Sequence, residues 1–381
     1  MSEVPPSNPT AKSLRRPVVF ILPQLPPAVC GLGDFSMKLL GQMRLDPPPH
    51  ILVMTGAEAT RAAHPELKVE SLPAGGARLV ARLAELKTER VLVEYVGQGF
   101  HTRGCPLGFL GALRKWRADT SGARLVIMFQ ELWFEPAWWK PDWILQKLHR
   151  IALRRLARVV DQVFVSTAGY GRWLAGAAAP ERLRVLPNAA TIPPVAPPAD
   201  ARREAGTWVL FGRQGSRLAA LDEIAAWPGK LHAAGRLKKL WLAGSRESAE
   251  MNAREDALAA SLLPPGTVEI LGPKSPEELS RIFLTAEFGI FSQSPLSYTK
   301  STIFMAYASH GIGIVSPNTL GASEAPQCWV THPSEMLDGA AISSAAVADR
   351  GRRLAEWYEQ NASWPRIAAA YRSALGLPEN P

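Results

Sequence analysis

Short apolar runs recur along the first half of the chain at residues 18–22, 51–55, 91–95, 125–129, 163–166 and 183–186, each of the length of a buried strand. Between several of them apolar positions return every three or four residues, which predicts helices over 35–43, 77–86, 107–117 and 143–160. Strand and helix alternate, the pattern of a parallel, doubly wound sheet. A proline-rich stretch without periodicity, 187–206, interrupts it, and beyond it the alternation restarts with predicted strands at 208–211, 239–243, 268–271, 288–291 and 312–315. The expected architecture is α/β, with two Rossmann-like doubly wound domains. It comprises a disordered tail over 1–16, a first domain over 17–187, a linker over 188–206, a second domain over 207–345, and C-terminal helices over 346–381 that pack back across the hinge. A ligand is expected in the cleft between the domains.

The densest signal lies at residues 275–316. Ser275 and Glu278 form a capping box ahead of the apolar stripe Leu279, Ile282, Phe283 and Ala286. A strand and a polar loop follow, and Ser301 and Thr302 open a second helix that stops at Gly311. Lys300, Ser301 and Thr302 are thereby expected at a helix N-terminus beyond the carboxyl end of a parallel strand. Backbone N–H groups, hydroxyls and a cation converge there, as binding of a phosphorylated ligand requires.

With 47% hydrophobic and 20% charged residues the composition is that of a folded protein, and no apolar run approaches the ~20 residues of a membrane span. The opening MSEVPPSNPTAKSLRRP lacks the apolar core of an export signal, and Cys30, Cys105 and Cys328 show neither pairing nor metal-ligand spacing. A cytoplasmic location is expected, with no metal. The net charge of +9 favours anionic partners: phosphorylated ligands, an acidic membrane surface or nucleic acid. Nucleic acid is the weaker option, because zinc-finger spacing and RNA-binding aromatic signatures are absent.

Candidate chemistry gathers at strand ends. Gly31 and Gly33 precede a helix capped by Asp34 or Ser36, but the third position of a dinucleotide fingerprint falls on Ser36, which argues against a nicotinamide enzyme. After residues 208–211, Gly212 leads into Arg213-Gln-Gly-Ser-Arg217, whose two guanidinium groups suit phosphate oxygens. His101 and Arg103 stand in a glycine-rich segment after 91–95, and Gln130 and Glu131 at the end of 125–129. Glu131 reads as a general base, a sugar-hydroxyl acceptor or a plain surface carboxylate. The tryptophans that follow, Trp138 and Trp139 among them, either stack on sugar rings or enter a membrane interface. On the helix over 143–160, Lys147, Arg150, Arg154 and Arg158 share one face, and Leu145, Leu148, Ala152, Leu156 and Val159 the other, consistent with a peripheral membrane contact. The chain contains no D-x-D, H-E-x-x-H, G-x-S-x-G or P-loop motif.

In their order and spacing these pieces resemble the retaining GT-B glycosyltransferases of the family 4 type over nearly the whole chain. GLGDFS is similar to that family's first glycine turn, FQELW to its strand-end F-H-E-L, FGRQGSR to its G-R-x-x-x-x-K turn, and ILGPKSPEELSRIFLTAEFGIF to the segment flanking the nucleotide base. The resemblance implies metal-independent transfer of a sugar, without a cofactor, from a nucleotide diphosphate-sugar to a glycan or lipid-linked acceptor, in polysaccharide biosynthesis. It implies donor binding by Gly33, Gly212, Arg213, Arg217, Lys300, Ser301 and Thr302, acceptor binding by Gly31, His101 and Arg103, and catalysis involving Glu131, Gln130 and Arg213. The sequence departs from the family at Tyr298 and Ala306, which stand where two glutamates belong, at Gln130, which replaces a histidine, and at Arg217, one residue short of the lysine. A non-catalytic nucleotide-sugar or glycan binding protein of the same fold is the alternative.

Overall fold

The computed structural model describes residues 16–378 apart from 29, 74, 133–138, 140, 141, 197–201, 320–322 and 338–341. The chain divides into two compact units, residues up to Pro187 together with those from Trp364, and Asn188–Ser363.

In the first unit, β1 (Val18–Leu22), β2 (His50–Val53), β3 (Lys68–Ser71), β4 (Arg90–Val96), β5 (Arg124–Glu131), β6 (Gln162–Val165) and β7 (Leu183–Val185) form one parallel sheet. Its order is β3-β2-β1-β4-β5-β6-β7, so the winding reverses between β1 and β4. The central strands are buried along their length, which is why largely apolar runs announced them. β3 is an edge strand with only Val69 buried, and no apolar run marks it. The last helix, Trp364–Ala374, packs on the helix Gly31–Met43 and on this sheet: Trp364 meets Phe35 at 5.2 Å between ring centroids, Arg372 donates to the Met43 carbonyl, and Tyr371 meets Phe164 of β6 at 5.1 Å.

The helix Asp142–Ala157 is oriented differently from its predicted face. It buries Gln146, His149, Leu153, Leu156 and Ala157, whereas Leu148, expected on the inner side, is exposed.

In the second unit, β8 (Glu204–Phe211), β9 (Lys239–Ala243), β10 (Val268–Gly272), β11 (Ala286–Ile290) and β12 (Gly313–Val315) form a parallel sheet of order β10-β9-β8-β11-β12, which reverses between β8 and β11. β8 starts at Glu204, inside the stretch read as linker, and that residue pairs with Ala286. The Ser275 capping box forms as the sequence predicts, the Ser275 amide donating to Glu278 Oε2 at 2.8 Å. Gly311 ends the later helix at φ 61°, where a side chain would be strained. The helix Ser344–Asn361, expected to cross the hinge, belongs to this unit, and its Gly351 lies so close to Gly311 that a Cβ would come within 2.5 Å of the Gly311 carbonyl. Among the described residues no helix is long and apolar enough to cross a membrane.

Candidate functional site

Parallel sheets open their crevice beyond the carboxyl strand ends, where the winding reverses. In the second unit that position lies between the segments after β8 and β11. Gly212 leaves β8 at φ 151°, and a Cβ there would sit 3.1 Å from Ile303 Cδ1, so the loop runs against the start of the helix Thr302–Ser309. Ser301 caps that helix, its hydroxyl accepting from the Phe304 amide at 3.3 Å. Lys300 and Thr302 flank the cap. Asn188 secures the loop from the side: its amide donates to the Thr299 carbonyl and its Nδ2 to the Lys300 carbonyl, each at 2.8 Å.

The two arginines of the β8 turn part company. Arg213 is exposed and pairs loosely with Glu247 at 3.3 Å, a geometry that an anion can displace. Arg217 is buried. Its guanidinium donates to both Glu255 oxygens, at 2.8 and 3.0 Å, and to the carbonyls of Gly212, Ala243 and Ser245. All five of its N–H groups are engaged, so Arg217, read from sequence as a diphosphate ligand, is a clamp that shapes the loops around Arg213. Gln214 extends the clamp by accepting from the Glu247 amide at 2.6 Å. Nearby, Glu223, Ser292, Ser294, Pro295, Pro317 and Asn318 line an open cavity of about 450 Å³. Tyr298 and Ala306 are both core residues: Tyr298 stacks on Phe304 at 4.8 Å and donates to Ser316 Oγ.

In the first unit the reversal lies between the segments after β1 and β4. The helix Gly31–Met43 begins at Gly31, with Cys30 before it and no side-chain cap, so the glycines are part of its first turn and neither Asp34 nor Ser36 caps it. Gly33 is pressed against the incoming loop, where a Cβ would stand 3.2 Å from the Gln24 carbonyl; Gly31 faces open space. The segment after β4 abuts the same loop, since a Cβ on Gly99 would fall 2.5 Å from Pro23 Cγ. The sheet reversal thus brings the Gly31–Gly33 turn and the His101–Arg103 turn to neighbouring strand ends. His101 Nδ1 accepts from the Arg103 amide at 3.1 Å, and both residues are exposed. A chain of donors supports that turn: Tyr95 OH to His149 Nε2 at 2.6 Å, His149 Nδ1 to Gln146 Oε1 at 3.2 Å, and Gln146 Nε2 to the Arg103 carbonyl at 3.1 Å. Burial pushes the His149 ring down to about 4, which keeps it neutral, and the donor order sets its tautomer.

At the end of β5 the register slips between Tyr95 and Val96, leaving Gln130 as an added residue beside an exposed Glu131. Gln130 is buried and donates to Glu94 Oε2 at 3.1 Å; Tyr371 OH donates to Glu94 Oε1 at 2.6 Å. Glu94 is fully buried, and burial lifts its carboxyl to about 7 against the pull of those hydrogen bonds. It was concealed in the run Val91–Tyr95, although an acid in an otherwise apolar buried strand is itself a signal.

No protein-family model matches the chain, and no curated protein matches it in sequence. Solved structures do match in fold. A glycosyltransferase from Rickettsia africae superimposes with a TM-score of 0.61 over 94% of this chain and 99% of its own, at 11% identity. HepE of Anabaena, in complex with UDP and glucose, gives 0.58 over 94% and 99% at 12% identity. The chain has the GT-B fold. A putative UDP-N-acetylglucosamine 2-epimerase from Listeria monocytogenes gives 0.52 over 94% and 96% at 12% identity.

Proposed function

We propose that the protein is a GT-B glycosyltransferase that moves a sugar from a nucleotide diphosphate-sugar to a glycan or lipid-linked acceptor in polysaccharide biosynthesis. It would act without a metal and with retention, in the cytoplasm and in peripheral contact with a membrane. The observation that carries the reading is the reversal in the second sheet, which brings the exposed Arg213 of the Gly212 turn and the Lys300–Ser301–Thr302 helix start to neighbouring strand ends. Amides at a helix start and cations attract a diphosphate, and the same groups offset the charge that builds on it as the sugar departs. HepE, whose structure holds UDP and glucose, supports a nucleotide-sugar as the partner. Gly31, His101 and Arg103 would receive the acceptor, with Glu131 at the reacting sugar and Gln130 held beside it.

Calorimetry with nucleoside diphosphates tests the reading. Arg213→Ala and Lys300→Ala should each weaken binding about tenfold or more, the loss of a charge-assisted contact. Unchanged affinity in both would overturn the site. Transfer should also survive EDTA. A non-catalytic binding protein is the second reading, favoured by the burial of Tyr298 and Ala306 where the family carries carboxylates. Tight nucleotide binding with no donor hydrolysis would select it.

A further inference from the structure

We infer that the helix Asp142–Ala157 docks the protein on an anionic bilayer through an outward apolar stripe. Ile144, Leu148 and Ile151 stand at helical spacing and are 61, 46 and 49% exposed, and Trp139 ahead of the helix is 68% exposed. Aliphatic side chains on a helix of a two-layered domain ordinarily face inward. Here the inward positions are taken by Gln146 and His149, which the Tyr95 hydroxyl and the Arg103 carbonyl hold by hydrogen bonds, so the helix is locked with its aliphatic side outward.

The charge pattern names the partner. The helix carries one acid, Asp142 at its start, and exposed Lys147, Arg154 and Arg155 follow the stripe, with Arg158 just beyond the helix end. Lys147 Nζ lies 3.5 Å above the Trp143 ring, an aromatic and a cation at one level. A narrow aliphatic stripe edged by cations and tryptophan matches the acyl boundary and phosphate layer of an acidic membrane, which takes up both kinds of group at once. Gln146, on the opposite side of this helix, holds the turn that carries His101 and Arg103. On the proposed sugar-transfer reading, docking would hold that turn about one helix width from the bilayer that carries a lipid-linked acceptor. Docking itself does not depend on that reading.

Flotation of the full chain with vesicles of phosphatidylcholine alone, or with added phosphatidylglycerol, tests the inference. Binding is expected only with the anionic vesicles and should fall as salt rises. Leu148→Ser with Ile151→Ser, and separately Lys147→Gln with Arg155→Gln and Arg158→Gln, should each weaken binding about tenfold or more while leaving the melting transition in place. Equal recovery on neutral and anionic vesicles, or retention of binding by both variants, would overturn it. So would a dimer without lipid that Leu148→Ser with Ile151→Ser converts to monomer, because the stripe would then be a self-interface. Vesicle binding with no sugar transfer would remove the functional reading and leave the docking surface standing.

Discussion

Glu94 offers a measurement that reads the first unit from within. Its carboxyl lies fully buried on β4, with Tyr371 OH and Gln130 Nε2 as donors, and burial raises it from an ordinary 4.5 to about 7. Between those values the folded state keeps the proton while the unfolded chain releases it. Stability is therefore full below pH ~4.5, declines as pH rises toward 7, and settles lower above it. A rise of that size corresponds to about 3 kcal/mol. Glu94→Gln retains shape and hydrogen bonds, its carbonyl accepting from Tyr371 and its amide facing a flipped Gln130, and it has no charge to desolvate. The variant should match the parent near pH 5 and exceed it at pH 8 by roughly 3 kcal/mol, or about 6–12 °C in Tm for a unit of this size. Hydrogen exchange of β4 and β5 peptides isolates this unit from its neighbour. At pH 8 those amides should exchange about a hundredfold more slowly in Glu94→Gln, with no difference near pH 5. Parallel pH curves for the two proteins would refute the argument, because a carboxylate ionised in the fold at pH 5 would show no such divergence.

Two other sets of substitutions separate structure from chemistry. Arg217→Met should destabilise the second unit by about 3–5 kcal/mol by leaving Glu255 buried and unpaired, and Arg217→Met with Glu255→Met should recover much of it; chemical denaturation reads both. A fully stable Arg217→Met that has lost nucleotide binding would return Arg217 to the ligand. Gln130→His should be tolerated in transfer assays, whereas Glu131→Gln should lower turnover more than donor affinity, the pattern of a contact made chiefly in the transition state. Full activity of Glu131→Gln would make that carboxylate structural.

What the sequence disclosed and what it withheld divide along one physical line. Strands buried on both faces announce themselves as apolar runs, and caps such as Ser275 with Glu278 are complete within four residues. Pairings across long separations leave no local trace: Arg217 finds Glu255 38 positions on, and Glu94 finds Tyr371 277 positions on, so the first was read as a ligand and the second went unread. The direction of a helix is equally hidden when both of its sides carry apolar groups. Periodicity on the helix Asp142–Ala157 put Leu148 inside, but the hydrogen-bonding needs of Tyr95 and of the Arg103 carbonyl drew Gln146 and His149 inward and turned Leu148 out.

Positions 298 and 306, where the family resemblance would place carboxylates, are a further case of non-local control. Tyr298 packs edge-on against Phe291 at 5.1 Å and stacks on Phe304, while Tyr307, next to Ala306, accepts from the Phe211 amide at 3.0 Å through its hydroxyl. The Ala306 carbonyl is taken by His310 Nδ1 at 2.6 Å, and the other nitrogen of that ring meets Ser280 Oγ at 2.8 Å. Burial pushes His310 down to about 4, so the ring is neutral and supplies no counter-charge. An acid placed at 306 would therefore be a buried charge among aromatic rings beside a neutral imidazole, which a fold discharges by protonation or by rearrangement. The helix start is thus built around an aromatic core, and a grip on the ribose of the proposed donor would have to come from side chains outside that helix. The anion attraction proposed at Ser301, in contrast, would depend on backbone amides and neighbouring cations and would be indifferent to what fills the core beneath it.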